Sequence, residues 1–149
     1  MNVQVTIDTE FEAMVSTEWL ETLVKHVLED HFEDQNTQVS IALEDDVAVH
    51  ELNLQYREVD STTDVLSFEG GYQDPETGLF HLGDIIISLP RAQAQAAGHA
   101  LSDELTLLVV HGVLHLLGHD HGDGPEKERM QAAQDAVLQQ LGCPLQPRL

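Results

Sequence analysis

Apolar residues alternate with polar ones from the start of the chain: Val3, Val5 and Ile7 take every second position, the period of a strand with one buried face. The spacing then lengthens to that of a helix through Trp19, Leu20, Leu23, Val24, Val27 and Leu28, behind Ser16 and Thr17, either of which can cap it. Val39, Ile41 and Leu43 return to strand spacing, and Val49, Leu52 and Tyr56 predict a short helix from about Asp46 to Tyr56. Val65 to Phe68 reads as a further strand, the stretch from Gly70 to Gly83 with Pro75 and Gly78 as a loop, and Gly83 to Ser88 as a buried strand. Arg91 to Ala97 is alanine-rich and helical after Pro90. Ser102 is positioned to cap the next helix, with Asp103 and Glu104 favourably set against its dipole. From Leu105 to Leu117 that helix is apolar nearly all round, as expected of one buried on most faces. A last helix runs from Pro125 to about Leu141 with Gly142 as its stop, and Met130 is expected to fill core.

Strands and helices in mixed order predict an α/β (α+β) fold, a single sheet packed with helices around a central buried helix. A chain of 149 residues, 42% of them hydrophobic, fits one domain over residues 1–149. The lone Cys143 excludes an intrachain disulfide, which suits a reducing cytoplasm, the expected location. Neither a signal peptide nor an apolar run of membrane-spanning length is expected from the pattern.

The central helix carries chemistry. His111 and His115 are four residues apart, so they stand on one helix face and can reach one ion. His121 would point elsewhere on a continuous helix, but Gly118 can take a left-handed conformation, end the helix and turn the chain back. This is the spacing of the long zinc-protease signature H-E-x-x-H-x-x-G-x-x-H, with Gly112 where the general-base glutamate would stand. The expectation is one Zn2+ per chain on His111, His115 and His121, with an open position for water, and against a peptidase of that type. Gly112 is expected to leave space beside the metal. The alternatives are core histidines, or a closed structural zinc site with Asp120 or His119 as fourth ligand.

Acids number 27 against six bases, for a formal net charge of −21. The bases (Lys25, Arg57, Arg91, Lys127, Arg129 and Arg148) are scattered, so such a surface repels bare nucleic acid and DNA is not expected as a partner; nor is a membrane, since no apolar run approaches spanning length.

Glu51-Leu52-Asn53-Leu54-Gln55-Tyr56-Arg57, Asp60, Thr63-Asp64-Val65-Leu66-Ser67-Phe68, Leu82-Gly83-Asp84-Ile85, Gly98-His99 and His111 to His121 occur in an order that resembles the bacterial YbeY family of rRNA maturation endoribonucleases. The resemblance implies a zinc-dependent, single-strand-specific endoribonuclease of ribosome maturation and quality control, acting at the 3′ end of small-subunit rRNA. It implies His111, His115 and His121 as metal ligands and Arg57 as a catalytic residue. It also implies rRNA, the small ribosomal subunit and its basic proteins or assembly factors as partners. Leu54 and Asp103 stand where relatives often carry a basic residue, which implies a weaker grip on the RNA backbone. On chemistry alone, Arg57 offers a rigid fork of donors to phosphate, or a structural ion pair. Asp64 and Asp84 would orient a ligand or cap turns, and His119 and Asp120 are the nearest candidates to carry a proton. Two other readings stand beside this one: another zinc hydrolase such as a metalloprotease, and a ribosome assembly factor with structural zinc.

Overall fold

The computed structural model describes residues 1–31, 35–118 and 124–145. Four strands, β1 (Asn2–Ile7), β2 (Thr37–Glu44), β3 (Val65–Gln73) and β4 (Phe80–Ser88), form one sheet in the order β1-β2-β4-β3. β1, β2 and β4 run parallel, whereas β3 is an antiparallel edge strand on β4. The helices are α1 (Thr17–His31), α2 (Asp46–Arg57), α3 (Leu89–Gln95), α4 (Leu101–Leu116) and α5 (Pro125–Gln140). This is the single-sheet α+β architecture that the pattern predicts. No helix among the described residues is long and apolar enough to cross a membrane.

Alternation along the strands divides the interior. Val39, Ile41, Leu43, Ile85 and Ile87 join α1, α4 and α5 in the main core, whereas Leu66 and Ile86 turn to the other face and meet Val49 of α2. Helix α4 is buried at every residue from Glu104 to Val110 and again from Gly112 to Leu114, as its all-round apolar pattern requires. Met130 is fully buried in the main core.

Three local expectations change. β3 and β4 extend into the segment expected to be a loop, because Tyr72 pairs with His81 and Gln73 with Phe80 across a bulge. Gly70 permits this: a Cβ there would lie 2.4 Å from the His81 carbonyl oxygen. Helix α4 begins behind Ala100, with no side-chain cap, so Ser102 lies inside its first turn. The Ser102 carbonyl instead accepts the Thr106 hydroxyl at 2.7 Å. Finally, Gly112 faces the sheet: a Cβ there would stand 3.0 Å from the nearest side-chain carbon of Ile85, a residue with no exposed surface. Its missing side chain allows α4 to lie close on β4, and does not clear space beside the histidines.

Where β2 ends, burial first, then Asp8 and Asp45, pushes the Glu44 carboxyl above its ordinary 4.5. The folded chain therefore holds this proton more tightly than the unfolded chain. That contribution to stability is complete below pH 4.5 and is lost as pH rises through the folded value. Since Glu44 is largely solvent-screened, Glu44→Gln should stabilise by no more than about 0.5 kcal/mol at pH 7 and confer nothing below pH 4.5. Thermal unfolding at the two pH values checks this; a gain that persists in acid would assign the effect to something other than charge.

Candidate metal and phosphate site

α4 sets two histidines side by side. Four residues apart on one face, the His111 and His115 rings have centroids 6.2 Å apart and planes inclined at 37°. Two imidazoles sharing a tetrahedral ion have centroids about 5 Å apart, so a small rotation of either ring brings both onto one metal. Both side chains are half-buried. The helix ends where expected: Leu117 is its C-cap, and Gly118 follows at φ +98, the left-handed conformation that glycine takes cheaply. His121, with His119 and Asp120, lies outside the described residues. The third ligand and the proton-carrier candidates are therefore not located here, and among the described residues no group of three His, Cys, Asp or Glu gathers for a metal.

His111 borders a cavity of about 50 Å³ together with Asp64, Val65, Leu107, Leu108 and Gln134. Gln134, on α5, is fully buried, yet neither its amide nitrogen nor its amide oxygen has a hydrogen-bond partner among the described residues. A buried amide left without partners is costly, so this cavity suits a polar occupant beside His111. The histidine pair and the orphaned amide together fit a metal with its bound water.

Asp64 also belongs to a half-buried polar chain that ends on the fully buried Glu104. With its amide nitrogen turned toward them, Gln95 donates to Asp64 Oδ2 at 3.2 Å and to Glu104 Oε1 at 3.1 Å, and His99 Nε2 lies 3.8 Å from Glu104 Oε2. These contacts tie the loop before β3 to the ends of α3 and α4, and so fix Asp64 in the wall of the His111 cavity. Asp84 is placed elsewhere, on the opposite sheet face, where its Oδ2 lies 3.3 Å from His81 Nε2.

Arg57 is the last residue of α2. Glu58 after it takes φ +59, and its amide bonds back to the Asn53 and Leu54 carbonyls, so the chain turns at once toward β3. Asn53 is buried and donates to the Ser61 carbonyl at 2.9 Å, and His50 pairs with Asp60 at 2.7 Å, holding the turn. The guanidinium donates to the Ser67 carbonyl and sits 5.2 Å over the Phe68 ring. Arg57 thus engages β3 at Ser67 and Phe68 while His111 lies by Val65 of the same strand, about 10 Å away along it. Sequence reasoning missed Ser67 and Phe68 as the seat of Arg57, and Gln134 as a neighbour of His111. No periodicity signals a carbonyl contact, and Gln134 sits in a helix that otherwise reads as ordinary core.

The endoribonuclease YbeY family model matches residues 4–142 of the chain. The chain belongs to the YbeY family. Among its relatives, the endoribonuclease YbeY of Desulfitobacterium hafniense is 48% identical over 120 residues, covering 74% of this chain and 75% of that protein. That of Roseiflexus castenholzii is 43% identical over 147 residues, covering 94% and 92%. The solution structure of TM1509 from Thermotoga maritima shares the fold, with a TM-score of 0.58 at 22% identity over 94% of this chain and 91% of that one.

Proposed function

We propose that this chain is a zinc-dependent, single-strand-specific endoribonuclease of the cytoplasm. It matures the 3′ end of small-subunit rRNA and serves in ribosome quality control. The observations that carry the reading are the His111–His115 pair, with His111 beside Val65, and Arg57 seated at Ser67 and Phe68 about 10 Å along the same edge strand, in a chain whose relatives bear the name endoribonuclease. Zinc held by His111, His115 and His121 would supply a Lewis acid and a water of lowered pKa. Arg57, exposed at the strand edge and already oriented by Ser67 and Phe68, grips phosphate oxygens and offsets the charge that grows on them during cleavage. Asp64 and Gln134 line the approach to His111, where they orient polar groups. With a net charge of −21, the chain gains little from counterion release on bare RNA, so delivery by the basic proteins of the small subunit or by assembly factors suits it.

The metalloprotease alternative is disfavoured by Gly112, which lies against Ile85 in the core, where no general base would reach a substrate. The test is a cleavage assay on single-stranded rRNA fragments with purified wild type and Arg57→Ala, with metal content and thermal midpoint measured for both. Arg57→Ala should keep fold and metal and lose about a hundredfold or more of the cleavage rate, since its guanidinium acts on the developing charge. Unchanged cleavage would remove Arg57 from the mechanism. Cleavage that survives complete removal of metal would leave zinc a structural role.

A further inference from the structure

On the sheet face opposite α4, α2 covers only part of the strands and leaves a cavity of about 390 Å³ beneath Leu52, Tyr56 and Phe68. Asp84, Ser40 and Thr6 supply its polar atoms. We infer that this cavity takes one unstacked guanine base of the RNA, next to the phosphate that Arg57 holds; the inference rests on the proposed nuclease reading.

The volume lies within the range of pockets that enclose a small ligand. Tyr56 is 61% exposed and borders the cavity, so one face of its ring is open to a stacking partner. Phe68 meets it edge-on at 5.6 Å, and Arg57 sits over Phe68, so the ring that lines the cavity and the cation that would hold phosphate share one support. Proteins read unpaired RNA bases in this way, by stacking them on aromatic rings and bonding their Watson–Crick edge.

Asp84 provides the edge contact, and a relay across the sheet fixes its orientation. The Thr77 hydroxyl donates to Gln38 Oε1 at 2.8 Å, which turns the Gln38 amide nitrogen toward Asp74 Oδ2 at 2.8 Å and His81 Nδ1 at 3.1 Å. His81, buried and accepting at Nδ1, carries its proton on Nε2 and donates it to Asp84 Oδ2. Asp84 Oδ1 receives no hydrogen bond from the described residues, and the side chain is 46% exposed. A carboxylate only accepts, and among the four bases guanine alone presents two adjacent N–H donors on its Watson–Crick edge. Because a carboxylate repels phosphate, the backbone must stay outside the cavity, on the side where Arg57 lies.

The experiment titrates each of the four nucleoside 5′-monophosphates into nitrogen-15-labelled protein, and maps cleavage sites on an unstructured RNA. GMP should bind tightest, moving amide signals of α2 and β3, and cleavage should favour one side of guanines. Tyr56→Ala should weaken GMP by roughly fivefold or more, with Tyr56→Phe retaining the affinity. Asp84→Asn should weaken GMP by about tenfold, level the four nucleotides and erase the guanine bias in the cleavage map. Equal affinity for all four nucleotides in wild type, or a guanine preference that survives Asp84→Asn, overturns the inference. RNA cleaved without guanine bias or GMP binding sinks the pocket and leaves the nuclease reading standing. GMP bound in this pattern by a protein that cleaves no RNA sinks the nuclease reading and leaves the pocket standing.

Discussion

Gly112→Glu, which would restore the full zinc-protease signature, is expected to unfold the protein and yield no peptidase. Gly112 belongs to the face of α4 that rests on β4, where even a Cβ would stand 3.0 to 3.4 Å from three carbons of Ile85. Ile85 has no exposed surface and cannot give way without moving its strand. A glutamate there adds overpacking to a buried carboxylate with no partner, together about 4 kcal/mol or more. Total stabilities of domains are about 5–15 kcal/mol, so a large fraction of it disappears. Circular dichroism melts of the variant should show a lost or strongly lowered transition. A wild-type midpoint would mean that Gly112 faces open space after all, and would reopen the protease reading. Gly112→Ala keeps the question answerable if the glutamate variant is insoluble: it should melt no higher than wild type, because the 3.0 Å approach to Ile85 offsets the roughly 1 kcal/mol that alanine ordinarily gains over glycine inside a helix.

His115→Ala is expected to abolish stoichiometric metal. His115 is half-buried and lies one turn beyond His111, so its removal takes a ligand from the pair and opens no large core cavity. Affinity should fall by at least about a hundredfold, the upper end of what even an outer-sphere partner costs. A ligand present at a thousand times its dissociation constant stabilises the folded state by about 4 kcal/mol. Chelation should therefore lower the wild-type melting midpoint by roughly 10 °C and leave His115→Ala almost unmoved. Elemental analysis reads the first effect and paired melts read the second. Zinc retained at one per chain by His115→Ala would refute the ligand assignment, and a midpoint indifferent to chelator in wild type would refute the link between metal and fold.

Much of this molecule follows from local rules. The strands around Val3–Ile7, Val39–Leu43 and Ile85–Ile87, the five helices, the buried character of α4 and the left-handed turn at Gly118 all arise from side-chain period and from glycine's backbone freedom, properties that a short segment carries with it. The same holds for the histidine pair, because a spacing of four on a helix fixes a shared face before anything packs. Other features needed partners distant in sequence. The loop expected after Gly70 became strand because β4 supplied a ladder, and Gly70 left room for the His81 carbonyl. The role of Gly112 depended on which face α4 turned to β4, and the seat of Arg57 depended on where the edge strand ran. The Thr77–Gln38–His81–Asp84 relay likewise exists only because β2 and β4 are neighbours in the sheet. Sequence period determines which residues are available for burial or chemistry along each element; close packing and strand pairing between elements decide which of them meet.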